Sequence, residues 1–261
     1  MTLLEFNGVG FGYPGQAPIL SNINLALNSG ERLLILGANG SGKSTIGYIA
    51  AGIISPVTGK VSWIDNHGSS GPFPTAKVGL VFQNSRNQMI GITVEEDLAF
   101  GLYSLGWPQK VIQEKVELFL NNFGLFGKRN YTINQLSGGE LKCLALAGAL
   151  ITQPQLLILD EPLAMLDSKM KQNFIKLLWE SVSQETAILW LDHDLRNLRY
   201  ISNWMILNQN SELETVTEQE LLSPDFLNKH HLEPAPLNFL EWKYPALIKK
   251  TMFGPDMIKV K

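Results

Sequence analysis

Hydrophobic residues along this chain fall into stretches of two kinds. Uninterrupted apolar runs stand at Leu33–Leu36, Val78–Phe82 and Leu156–Leu159, and Thr186–Leu191 is apolar after its first residue. Runs of that length suit strands covered on both faces, as in a parallel sheet. The first thirty residues also read as β: Leu3–Phe6 and Ile23–Leu27 are strand-like, with Gly8, Gly10, Gly12, Pro14 and Gly15 as turn residues between them. Further strands are expected around Lys60–Ile64 and Trp204–Leu207, with a loop over 65–76 and a polar turn at Asn208–Ser211. From Asn84 to Gln135 strand patterns disappear. Thr93-x-x-Glu96 begins a helix in capping-box form and leads into Leu98, Ala99 and Leu102. Gly106-Trp107-Pro108 breaks it, and Val111, Ile112, Val116, Phe119 and Leu120 mark a second amphipathic helix. The pattern predicts an α/β fold: a mostly parallel sheet, an N-terminal antiparallel β part, and a helical insertion over about 84–136.

One junction between strand and helix carries chemistry. Leu33–Leu36 runs into Gly37-Ala38-Asn39-Gly40-Ser41-Gly42-Lys43-Ser44-Thr45, then into Ile46, Ile49, Ala50 and Ile53. Gly-x-x-x-x-Gly-Lys-Ser between a strand and a helix is the P-loop pattern. Glycines let successive N–H groups point at phosphate oxygens, and the new helix adds its positive end. Lys43 is expected to reach the β/γ-phosphates and the Ser44 hydroxyl to hold Mg²⁺. The core of this fold is therefore that of a P-loop nucleotide-binding domain.

Other motifs gain meaning beside it. Ser137-Gly138-Gly139-Glu140 is a capping box before an apolar helix, which accounts for Ser137 and Glu140 but not for two glycines in the first turn. Bare backbone at a helix start suits an anion. Asp160 and Glu161 stand at the end of an apolar strand, where ligands bind in open α/β sheets. Asp160 is expected to bind Mg²⁺ and Glu161 to polarise the attacking water. The Thr186–Leu191 strand delivers His193 to the same edge, whereas His67, His230 and His231 read as structural or solvated. Tyr13 is an aromatic among turns that could stack on an adenine ring or simply pack at the surface.

Composition narrows the remaining classes. The chain of 261 residues is 45% hydrophobic and 17% charged, enough apolar material for a large core and too little charge for disorder. A net charge of −3 gives no general attraction to nucleic acid. Cys143 is the single cysteine, which fits a reducing compartment. The N-terminus lacks the basic and apolar regions of a signal peptide, and no run reaches the roughly 18 apolar residues of a spanning helix. The expectation is a protein that is soluble or sits on a membrane through a partner, without a direct span.

Tyr13, Gly37–Thr45, Gln83, Leu136–Glu140, Leu156–Pro162, Asp167 and His193 occur in the order found in ATP-binding-cassette ATPases, and the chain resembles that family over nearly its whole length. The resemblance implies ATP and Mg²⁺ as ligands, with Tyr13 stacking on adenine and Gln83 sensing Mg²⁺ and water from a mobile loop. It also implies that Ser137, Gly138 and Gly139 contact the γ-phosphate bound by a second ATPase subunit, that Asp167 communicates across that interface, and that His193 holds the γ-phosphate. Recurring prolines from Ser223 onward set an ATPase domain over 1–222 apart from a tail over 223–261, which is either a dimer-contact element, the favoured reading, or partly disordered.

A closer resemblance, to the ATPase subunits of energy-coupling-factor transporters, rests on four stretches of the chain. These are Asn87-Gln88 with Gly91–Leu102, Ala147–Leu150, and Leu232–Pro236 together with Phe11–Pro14. It implies an integral membrane coupling subunit as partner, and with it a peripheral place at the cytoplasmic face of the cell membrane. Met89, Ile90, Ile92, Phe100, Tyr103 and Trp107 lie where a groove of this chain could receive a short cytoplasmic helix of that partner, about half of them packing the insertion's own core instead. Glu140-Leu141-Lys142-Cys143, Leu163–Leu166 and Asp192 depart from the family's usual residues. A non-transport cassette ATPase, such as a scaffold for iron–sulphur cluster assembly, is the alternative.

Overall fold

The structure, a computed structural model, describes residues 1–64, 70–71, 74–201, 203–221 and 223–233. In chain order the elements begin with β1 (Thr2–Phe11), β2 (Leu20–Asn28), β3 (Arg32–Leu36), α1 (Lys43–Ala50), β4 (Thr58–Ile64), β5 (Ser70–Gly71) and β6 (Val78–Val81). Then come α2 (Val94–Ser104), α3 (Gln109–Asn122), α4 (Gly138–Ile151), β7 (Leu156–Asp160), α5 (Ser168–Ser181) and β8 (Ala187–Asp192). The series ends with β9 (Asn203–Leu207), β10 (Leu213–Thr215), α6 (Glu218–Leu221) and α7 (Pro224–Lys229).

Among the described residues the strands form two sheets, an antiparallel one in the order β2-β1-β4-β5 and a six-stranded one in the order β10-β9-β3-β8-β7-β6. In the second, β9, β3, β8, β7 and β6 run parallel and only the edge strand β10 is antiparallel. Alternation along the parallel strands sorts their side chains into two cores. Leu33, Ile35, Ile158, Leu189 and Leu191 face α1 and the antiparallel sheet, packing with Ile46, Ile49, Leu4 and Phe6. Leu34, Leu36, Leu157, Leu159, Ile188 and Trp190 face the other way, toward α4 and α5. Strands buried on both faces explain the uninterrupted apolar runs.

The insertion is helical, as its pattern predicts, but has no core of its own. Leu98, Leu102, Ile112, Val116 and Leu120 of α2 and α3 join the core that also contains Leu144, Ala145 and Phe174. The capping box at Thr93 and Glu96 is formed. The loop expected over 65–76 contains a short strand, since Ser70 and Gly71 pair with Ile64 and Trp63, followed by a 3-10 turn at Thr75–Lys77. Residues 65–69 (with His67) and 72–73 lie outside the described residues, as do Pro234–Pro236 and the rest of the tail to 261. Leu227 and Leu232, at the start of that tail, are buried and belong to the same core as α4 and α5.

Candidate functional site

The parallel register aligns the C-terminal ends of β3, β8 and β7. Leu36 pairs with Asp192 and Leu191 with Asp160, so the loop after β3 lies next to the two acidic strand ends. That loop turns through Gly40 (φ 79°) and Gly42 (φ 107°), a left-handed region that side chains other than glycine rarely adopt. Gly42 is also sterically required, because a Cβ there would stand 2.7 Å from Ile19 Cγ2. It serves as the N-cap of α1, offers no side-chain cap, and is followed by a first turn without an acid. The helix start is thus left to whatever anion approaches it.

Lys43 is almost fully buried, and its Nζ donates to Gly37 O at 2.9 Å and Ala38 O at 2.8 Å. Burial pulls its pKa below the ordinary lysine value, opposed by Glu161, Asp192 and Asp160 nearby. The Ser41 hydroxyl is buried in the same loop with no hydrogen-bond partner among the described residues. Asp160 is 2% exposed. Burial raises its pKa, while a hydrogen bond from the Ser44 side chain and the charges of Lys43 and Lys142 hold it down. Ser44 and Asp160 thus meet at the edge of the P-loop, and both offer oxygen, the donor type that Mg²⁺ takes. No cluster of three or more His, Cys, Asp or Glu able to hold a metal occurs among the described residues.

Glu161 is the meeting point. Its Oε2 accepts from Gln83 Nε2 at 2.6 Å and its Oε1 lies 3.1 Å from His193 Nδ1. Three residues from the ends of β6, β7 and β8 therefore share one carboxylate. The Glu161 backbone has φ 43°, left-handed for a residue with a full side chain, while its N–H continues the ladder to Leu191 O at 2.9 Å. A strained backbone of this kind persists only where its surroundings enforce it. A fixed carboxylate beside an amide and an imidazole can accept a proton from a water placed between them.

His193 is supported from below by Asp192. The buried Asp192 carboxylate accepts from Trp190 Nε1 (3.0 Å), Asn197 Nδ2 (2.7 Å), His193 N (2.8 Å) and Asp194 N (3.0 Å). Burial still raises its pKa against those donors. Sequence reasoning noted Asp192 and Lys142 as departures but assigned them no part in the site. The signal was there: a charged residue inside an otherwise apolar run needs partners.

The other expected residues make their contacts elsewhere. Tyr13 is 45% exposed and meets Phe11 edge to face at 5.1 Å. It contributes, after burial and Asp160, to raising the Tyr48 pKa, which places it near α1. Ser137 accepts from Glu140 N at 3.3 Å while Glu140 Oε2 accepts from Ser137 N at 3.0 Å, so the capping box occupies both side chains. A Cβ on Gly138 would meet open space, whereas one on Gly139 would overlap Met170 of α5. Gly139 therefore has a packing reason, distinct from an approaching anion. Asp167 caps α5, accepting from Met170 N at 2.9 Å.

A glycine-rich loop running into an uncapped helix, with paired acids on the neighbouring strand end, defines a P-loop nucleotide-binding ATPase. A family model described as ABC transporter matches residues 20–164. The energy-coupling factor transporter ATP-binding protein EcfA of Methanothermobacter thermautotrophicus is 33% identical over 215 residues, covering 81% of this chain and 69% of that protein. EcfA1 of Lactobacillus acidophilus is 32% identical over 261 residues, 94% of this chain and 92% of that one. Among solved structures, CbiO1 of Clostridium perfringens, described as part of the ABC transporter complex cbiONQ, shares the fold. Its TM-score is 0.73 at 24% identity over 96% of this chain and 99% of that one. An ATP-binding cassette solved as a dimer with ADP and phosphate gives 0.71 at 25% identity over 82% of this chain and 99% of its own. The chain belongs to the ABC transporter family, as one of its ATP-binding and ATP-hydrolysing proteins.

Proposed function

We propose that this chain is the motor subunit of an energy-coupling-factor-type transporter, binding ATP with Mg²⁺ and using hydrolysis to drive uptake through an integral membrane coupling subunit. The observation that carries the reading is the Glu161 carboxylate shared by Gln83 and His193 at the edge that also holds the P-loop. The relatives' names supply the transport context.

In this reading the Gly37–Thr45 loop cradles the phosphates, with Asn39, Gly40, Ser41 and Gly42 turning N–H groups toward them and Thr45 continuing the helix start. Lys43 exchanges its bonds to Gly37 O and Ala38 O for phosphate oxygens. Ser44, Asp160 and Gln83 would hold Mg²⁺, which supplies charge neutralisation at the β/γ-phosphates. Glu161 takes the proton of the attacking water, while Gln83 orients that water and His193 faces the γ-phosphate. Tyr13 stacks on the adenine. A second ATPase subunit, the same chain or another, brings its Ser137, Gly138 and Gly139 to the γ-phosphate, with Asp167 beside the interface. The ATPase domain spans 1–222, and the tail from 223 contacts that second subunit. No nucleic acid enters this reading.

The membrane partner docks on the insertion. Glu96 Oε2 accepts from Ile92 N and Thr93 N, and Asp97 Oδ1 accepts from Ile90 N and Gly91 N. These two acids fix a loop that leaves Ile90 and Ile92 exposed, and Phe100 and Tyr103 of α2 are exposed beside it. Met89 and Trp107 pack against the core instead. A cleft of about 450 Å³ between Leu80, Ile90, Phe100, Leu105 and Gly148 is wide enough for apolar side chains of a short helix. No helix among the described residues is long and apolar enough to cross a membrane, so membrane attachment falls to this partner.

The test is affinity purification of the tagged protein from gently solubilised membranes, with each co-eluting chain identified by mass. A multi-span membrane protein is the expected companion, with or without a second ATPase. Recovery from the soluble fraction alone, with soluble partners, would overturn the transport reading.

A further inference from the structure

Lys142 stands one turn into α4 and is 5% exposed, a buried ammonium that the reaction scheme above does not use. Its Nζ donates to Gln83 O at 2.8 Å, to Phe82 O at 3.2 Å and to Glu161 O at 3.4 Å. An ammonium has three donors, and three backbone carbonyls from two separate strand exits take them. Burying such a charge is unfavourable unless hydrogen bonds replace its water. Here the replacements are all main-chain atoms of the segments that carry the Gln83 and Glu161 side chains.

We propose that Lys142 is a positioning residue that holds the exits of β6 and β7 at a fixed separation, and so keeps Gln83 on the Glu161 carboxylate. The inference rests on the reading of Gln83 and Glu161 given above. Two further features fit it. Glu161 is kept in a left-handed backbone conformation, which needs external support, and its carbonyl is one of the three that Lys142 binds. Lys142 is also on the helix that begins with Ser137, Gly138 and Gly139. A shift of α4 at its N-terminus is therefore transmitted to Gln83 and Glu161 through one rigid side chain, linking a contact made by the opposite subunit to the hydrolytic groups of its own.

Lys142→Met keeps the length and buried volume but removes all three donors. Lys142→Arg retains donors. In the purified complex, Lys142→Met is expected to lower kcat for ATP roughly tenfold to a hundredfold, as small misplacements of reacting groups do. KM for ATP and thermal stability stay close to those of the wild type, hydrogen exchange in residues 83–89 rises, and Lys142→Arg recovers most of kcat. Two results would overturn the proposal. One is an unchanged kcat in Lys142→Met. The other is a loss that follows thermal stability or KM and is not recovered by Arg, since that is general destabilisation. If the wild type itself fails to hydrolyse ATP, or if Glu161→Gln leaves turnover intact, it is the assignment of the site that fails, and Lys142 with it.

Discussion

Two helices in this molecule begin with glycines where a phosphate is expected, and they are built differently. α1 starts at Gly42, with no side-chain cap, no acid in its first turn, and a buried lysine beside it. α4 starts at Ser137, which forms a complete capping box with Glu140, itself paired with Lys128 at 2.6 Å. The first helix start is unfinished without an anion, whereas the second satisfies the N–H groups of Ser137 and Glu140 from within the chain. A helix end stable by itself is suited to an occasional contact from another subunit, and an uncapped one to a resident ligand. The comparison also separates two uses of glycine: Gly42 and Gly138 leave backbone accessible, while Gly139 makes room for Met170.

Four substitutions sharpen that difference. Lys43→Ala should have the largest effect, weakening ATP binding by roughly a hundredfold or more, since charge-assisted bonds to phosphate are lost. Titration with a fluorescent ATP analogue measures it, and near-normal affinity would break the claim that α1 is the resident site. Gly42→Ala forces a side chain into a left-handed backbone against Ile19 and should cost about 1–3 kcal/mol of stability as well as ATP affinity, read by chemical denaturation with and without ATP. Ser137→Ala removes a cap and should cost about 1 kcal/mol while ATP binding to the isolated chain is unchanged. Equal loss of binding would erase the distinction between the two helices.

Glu140→Gln should have the smallest effect. The Lys128 hydrogen bond, first among several causes, holds the Glu140 carboxyl below its ordinary 4.5. A depressed carboxylate stabilises the fold fully above that value and loses its contribution as pH falls below it, through the lowered pKa of the folded state. The pair is partly exposed and screened by salt, so the difference between Glu140→Gln and wild type should stay below about 1 kcal/mol at pH 7 and vanish in acid.

Much of this was legible in the sequence because the determinants are local. Doubly buried strands announce themselves as apolar runs, and Gly37–Thr45 and Ser137–Glu140 carry their backbone chemistry in their own residues. α5 went unread: its buried residues Phe174, Ile175, Leu177 and Leu178 are crowded into one stretch, among polar residues such as Lys169, Lys171 and Glu180. The clamp on Glu161 was only half visible. Its three members are far apart in the chain, and their hydrogen bonds depend on the register of β6, β7 and β8. Lys142 was less visible still, because its partners are carbonyl oxygens, which no residue type reveals.

The central claim is that the Glu161 carboxylate, held by Gln83 and His193, drives hydrolysis at a site that binds ATP without it. Phosphate release and ATP retention, measured side by side for wild type and Glu161→Gln, test it most directly. Retained ATP with release slowed roughly a hundredfold to ten-thousandfold, and subunits trapped in an ATP-bound dimer, is the expected result. Turnover at the wild-type rate would contradict it.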